Sequence, residues 1–168
     1  MTPSRPASKQ AESSRITLSQ LMQPEHANLR GDVHGGWIMK LADEAGALAA
    51  MRHSQCRVVT VAIDQMMFHE PIRIGDLVTL EAIVTYVGRS SMETRVQVVA
   101  EDPVSGERSH TNTAYLVYVA LDERGRPTRV PELVAGSELE KKRMREGEKR
   151  QAYRLAQREL VAEESGAA

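Results

Sequence analysis

Ahead of its charged C-terminus the chain keeps a helical period only once, and four segments that alternate like strands follow it. Counted from Ile38 at about 100° per residue, Ile38, Leu41, Ala42, Ala45, Leu48 and Ala49 share one side, the stripe of a half-buried helix. Its C-terminal limit falls near Arg52 and His53, cations that suit the negative end of the helix dipole. The strand segments are "VVTVAIDQMMF", "VTLEAIVTYV", "METRVQVVA" and "TNTAYLVYVAL". In the second, Val78, Leu80, Ala82, Val84 and Tyr86 are apolar, while Thr79, Glu81 and Thr85 alternate with them beside Ile83, as expected of one core face. "PIRIGD" and "EDPVSGE" are the turns between strands, and "ITLSQLMQ" adds an earlier strand closed by Pro24. An antiparallel sheet with one apolar face needs a cover, and one helix is in position to give it. The expectation is an α+β fold with the helix across the sheet. The first and last of the four strands are apolar on both faces, which predicts that another subunit occupies the outer face.

Length and charge narrow the partners. The 168 residues suit a single domain, and 22 Lys and Arg against 23 Asp and Glu leave no basic field for nucleic acid. The single cysteine, Cys56, is what a reducing compartment permits. Residues 1–14 are polar, lack the apolar core of a secretory signal and read as a disordered arm. No apolar run is long enough to cross a bilayer, so a cytoplasmic protein without membrane insertion is expected. The core domain is predicted over 15–133. Residues 136–164 read as a charged helix outside the core, whose eight Lys and Arg are interspersed with seven Glu. That mixture suits a solvated or subunit-bracing helix better than one that binds nucleic acid or lipid.

Chemistry concentrates in "NLRGDVHGGWIMKLADEAGALAAM", Asn28 to Met51. Gly35 and Gly36 let a ligand approach the main chain, and the first N–H groups of a helix have no intrahelical partners. A carbonyl oxygen becoming an oxyanion would be stabilised there. Two glycines alone are as well explained by a tight turn, with Asp32 as a cap. Asp43 is more telling: it lies about 140° round from Ile38, away from the stripe, on a side shared with Gly36, Ala47 and Ala50. Small residues around a carboxylate suggest close approach by another surface and a candidate general base or nucleophile. A mid-helix Asp is otherwise usually a solvated residue, and Glu44 usually a pairing one. No Gly-x-Ser-x-Gly elbow, Walker loop, Gly-x-Gly-x-x-Gly or His-Glu-x-x-His occurs. The five histidines are dispersed, so zinc is not expected. His34 reads as a helix-start residue or ligand contact, and His69 as a loop residue.

The run "PEHANLRGDVHGGWIMKLADEAGALAA", with "FHEPIRIGD", "VGRSSMETRVQV" and "TAYLVYVALDERGRPTRVP", resembles the hotdog-fold acyl-CoA thioesterases of the cytosolic acyl-CoA hydrolase type, over about Ile16 to Leu133. The resemblance implies a sheet wrapped round the helix, two protomers joined as a double hotdog, and trimers of such dimers. It implies hydrolysis of fatty acyl-CoA to free acid and CoA, with no cofactor beyond the CoA of the substrate. Asn28 and Asp43 match the family's catalytic pair and would meet across a dimer interface. His34, Gly35 and Gly36 would hold the oxyanion or substrate, and Thr60 would line the site from the partner strand. Arg89, Ser90 and Ser91 resemble the segment that meets the pantetheine and phosphate of CoA. A non-catalytic acyl-CoA or nucleotide-binding module is the alternative, against which the presence of both Asn28 and Asp43 argues. A hotdog dehydratase would want an Asp and a His on the loop before the helix, with a spacing absent here.

Overall fold

The computed structural model describes residues 7–64 and 66–166. In chain order it contains β1 (Ser8–Gln10), a 3-10 turn (Ala11–Ser14), β2 (Ile16–Leu21), α1 (Gly35–Ser54), β3 (Arg57–Ile63), β4 (Leu77–Val87), β5 (Ser91–Glu101), β6 (Arg108–Leu121), β7 (Glu132–Val134) and α2 (Glu138–Gly166). Five strands form an antiparallel sheet in the order β2-β4-β5-β6-β3, curled round α1 so that every one of them packs on the helix. This is the α+β hotdog arrangement that the alternation pattern and the resemblance imply.

The strands bury one face because their apolar positions alternate. Val78, Leu80, Ala82, Val84, Val96, Val98, Ala114, Leu116, Tyr118 and Ala120 meet Ile38, Leu41, Ala42, Ala45 and Ala49 of α1 in one core. Helix α1 stops where Gln55 takes the left-handed conformation (φ 54°) and its N–H donates to Met51 O.

Four expectations need correction. Leu48, assigned to the buried stripe, is 39% exposed, whereas Ala50, assigned to the opposite side, is fully buried. Gly46 is buried too, so the covered arc is turned toward Asp43 and puts that residue at the edge of the packed surface. The reason is size: glycine and alanine let the curled sheet close over that flank, while Leu48 stays outside it.

Of the arm expected over 1–14, residues 1–6 lie outside the described residues, but 8–14 are part of the fold. Strand β1 pairs in parallel with β7. Ser14, fully buried, accepts a hydrogen bond from the Val84 N–H at 2.9 Å, where β4 bulges between Val84 and Tyr86. The β2–β4 ladder ends at Ile16 and Ala82, and the serine hydroxyl satisfies the β4 amide two residues further on. The domain therefore begins at Ser8 and closes with β7, wider than 15–133.

The charged helix is real but does not stand apart from the core. Helix α2 crosses the outer face of the sheet, and Met144 packs on the core. Gly147 lies so close to the sheet that a Cβ there would fall 2.6 Å from Tyr86 Cβ and 2.9 Å from Glu93 Oε1. The outer face predicted for another subunit is thus partly covered by the chain itself. What remains open is β3, the edge strand, with Val59, Val61 and Ile63 at 44%, 55% and 43% exposure.

Candidate active site

Asp43 projects from the third turn of α1 toward the β3 edge of the sheet. Its Oδ1 accepts a hydrogen bond from Thr60 Oγ1 at 2.7 Å and another from Tyr118 Oη at 3.1 Å, and the same phenol lies 2.9 Å from the Asp43 carbonyl oxygen. Thr60 and Tyr118 are direct partners in the β3–β6 ladder, so both hydroxyls leave the sheet on the same face. A bulge follows at once, between Thr60 and Ala62. Asp43 Oδ2 has no hydrogen-bond partner among the described residues. Tyr118 is fully buried; that burial, and then the neighbouring carboxylate, push its phenol well above its usual pKa and keep it a donor. Nothing in the local sequence pattern distinguishes Tyr118 from an ordinary core aromatic. The usable signal is that a buried tyrosine hydroxyl needs a partner.

The start of α1 is organised differently from the expectation for its glycines. His34, not Asp32, is the N-cap: its Nδ1 accepts from the Gly36 N–H at 3.0 Å, and its carbonyl accepts from Trp37 N–H at 2.9 Å. Asp32 instead forms a bridge with Arg73. With the Gly36 amide taken, Gly35 N–H is the donor left without a partner among the described residues. The Phe68 ring covers Gly35, and a Cβ there would fall 3.3 Å from its Cζ.

Asn28 sits in the loop before the helix, its Oδ1 accepting from Arg30 N–H at 2.8 Å and its own N–H donating to Asp32 O at 2.7 Å. It shares a cleft of about 280 Å3 with Gly35, Phe68 and His69. Asp43 does not line that cleft. One protomer therefore brings Asn28 to Gly35 and Thr60 to Asp43, but keeps the two pairs apart. Thr60 reaches Asp43 of its own chain.

The "GRSSM" block is the β4–β5 hairpin, closed by the Gly88 N–H donating to Ser91 O at 2.9 Å. It does not collect its three residues in one place. Ser90 and Ser91 line a groove of about 900 Å3 between the sheet and α2, with Arg150 and Arg154 on its far wall. Arg89 faces a separate hollow beside Arg129.

A second carboxylate was missed by the sequence reading. Glu93, on the outer face of β5 and 1% exposed, receives both arms of Arg150 (2.8 and 3.0 Å), Arg154 Nη2 (3.0 Å) and Thr85 Oγ1 (2.8 Å). Arg154 also reaches Asp64 at 2.6 Å, and Arg150 stacks 3.7 Å over the Tyr115 ring. Burial pushes Glu93 up, but the two guanidiniums and the Thr85 hydroxyl outweigh it and hold the carboxyl below its usual value.

Comparison with known proteins agrees with this geometry. The thioesterase superfamily model matches residues 30–107. The rat cytosolic acyl coenzyme A thioester hydrolase is 40% identical over 149 residues, 87% of this chain and 39% of that protein. The chain thus spans about two fifths of that relative's length. Among solved structures, an apo-hexameric acyl-CoA thioesterase superposes with a TM-score of 0.85 at 36% identity, covering 89% of this chain and 96% of that one. An acyl-CoA hydrolase from Staphylococcus aureus, solved with butyryl-CoA, CoA and CoA disulfide, gives 0.81 at 31% identity, over 92% and 96%. Solved forms of the Staphylococcus hydrolase include alanine mutants of an aspartate, an asparagine and a threonine. Sheet, helix, matched residues and superposition agree: the chain belongs to the thioesterase superfamily, among the hotdog-fold acyl-CoA thioesterases.

Proposed function

We propose that this chain hydrolyses fatty acyl-CoA to free acid and CoA, in a site completed by a second copy of itself. One observation carries the reading: Asp43 is held by hydroxyls at the open edge of the sheet with one oxygen unclaimed, while Asn28 and the free Gly35 amide lie in a different cleft. Two copies meeting along β3 would bring one protomer's Asp43 to the other's Asn28 and helix start, and would cover Val59, Val61 and Ile63. Asp43 then activates water or attacks the thioester carbonyl itself. Asn28 orients water or carbonyl, and the Gly35 amide receives the oxyanion. The carbonyl carbon gains an oxygen from water, its bond to sulfur breaks, and the CoA thiolate leaves and takes a proton. No metal or further cofactor enters these steps. Arg89, with Ser90 and Ser91, is assigned to the anionic CoA arm.

The known hexameric relative and the cytosolic one support a homo-oligomer, a trimer of dimers, in the cytoplasm. Among the described residues no helix is long and apolar enough to cross a membrane.

Release of thiol from palmitoyl-CoA tests the activity, and mixing subunits tests the shared site. Asp43→Ala and Asn28→Ala should each be inactive. Unfolded and refolded together, they should recover roughly a quarter of wild-type activity, because half the dimers are mixed and each mixed dimer holds one intact site. Palmitoyl-CoA binding without thiol release would favour the binding module, and no recovery on mixing would place the whole site in one chain.

A further inference from the structure

We infer that Tyr118 is a positioning residue for Asp43: with Thr60 it fixes one carboxylate oxygen, so that the other is the one presented to the substrate. The inference rests on the proposed role of Asp43 and adds a residue to which neither the motif nor the resemblance gives a role.

Three observations lead to it. Both recorded side-chain donors to Asp43 end on the same atom, Oδ1, at 2.7 and 3.1 Å. A carboxylate with both donors on one oxygen has its plane and its χ2 set, and its second oxygen left for work. The Tyr118 phenol also touches the Asp43 carbonyl oxygen at 2.9 Å, so it fixes the backbone and the side chain of the same residue. Finally, the helix makes room for this phenol. A Cβ at Gly46 would fall 2.5 Å from Tyr118 Oη and 2.7 Å from Thr94 Oγ1. Real contacts are essentially never that short, so a side chain at 46 would displace Tyr118 or Thr94, and α1 carries a glycine in its middle despite its poor helix propensity. A tyrosine present only to fill the core would need one partner for its hydroxyl, not a second bond to the carboxylate of the same residue and a glycine to admit it.

The electrostatics around Asp43 are simple. Its hydrogen bonds among the described residues come from the sheet hydroxyls Thr60 on β3 and Tyr118 on β6. On its own helix Lys40 and Glu44 pair with each other at 2.5 Å.

The test is Tyr118→Phe, which removes one oxygen and keeps the ring. With palmitoyl-CoA, kcat should fall about ten- to hundredfold, the range for losing a hydrogen bond to a charged group, with KM within about twofold. A lowered melting temperature with kcat unchanged would reduce Tyr118 to packing and overturn the inference.

A second measurement needs no turnover. With 13C in the Asp side-chain carboxyls, the Asp43 signal at neutral pH should move in Tyr118→Phe, because Oδ1 loses a donor. If the wild-type protein released no thiol, the hydrolase reading would fail while this result still decided the inference. An Asp43 signal unchanged in Tyr118→Phe would sink the inference even in an active enzyme.

Discussion

Asp43 and Glu93 are two carboxylates on opposite faces of one sheet, both drawn out of bulk water, and they are held in opposite ways. Glu93 is closed on every side: two guanidiniums and a hydroxyl occupy both oxygens, tying β5 to α2. Asp43 receives only neutral hydroxyls, both on one oxygen. Cations at Glu93 make its charge permanent and its geometry fixed, which suits a latch. Neutral donors orient Asp43 without neutralising it, which suits a group that must act on something else.

The difference breaks most sharply on substitution. Asp43→Asn should lower kcat by about a thousandfold or more, in the range seen when one member of a catalytic set is lost, with little change in melting temperature. A variant that kept its rate would make Asp43 as structural as Glu93. Glu93→Ala leaves Arg150 without its counter-charge and Arg154 with Asp64 alone, and should cost about 3–5 kcal/mol of stability while the molecules still folded keep their rate. Thermal denaturation and kcat per active site together check it.

Acid sharpens the contrast. Because the folded pKa of Glu93 lies below its ordinary value of 4.5, the latch contributes fully above that pH, and its contribution is lost as pH falls through the folded value. The stability gap between wild type and Glu93→Gln, from urea titrations, should therefore shrink below about pH 4.5. A gap constant to pH 3 would contradict the ion-pair account. The smallest effect belongs to Thr85→Val, which removes one of the four donors to Glu93 and should cost about 1 kcal/mol by the same titration.

Legibility in the sequence divided along similar lines. Periodicity identified α1 and every long strand, because burying one face leaves a trace in each local stretch. Asp43 stood out by the small residues around it, Asn28 by its place in a longer matching block, and Thr60 only by the resemblance of its own short segment. Tyr118 was hidden, since an aromatic at an alternating strand position looks like plain core, though a glycine in mid-helix at 46 was a visible hint. The Glu93 latch could not be read, because Arg150 lies 57 residues away in a segment whose charges looked uniformly solvated. The hydrophobic count erred at Leu48 and Ala50 because it assumed that large residues define the covered arc, whereas the sheet comes closest where the helix is bare. Residues 8–14 were missed because they are held by main chain, one serine hydroxyl and a single buried alanine, Ala11, within a stretch whose polarity gives no clue.

That serine has a practical side for anyone shortening the protein. Cutting before Arg15 looks harmless, yet it removes the hydroxyl that receives the Val84 amide at the bend of β4 and the short strand that clasps β7. The trimmed polypeptide would carry an orphaned amide in its interior and a loose tail where β7 was anchored.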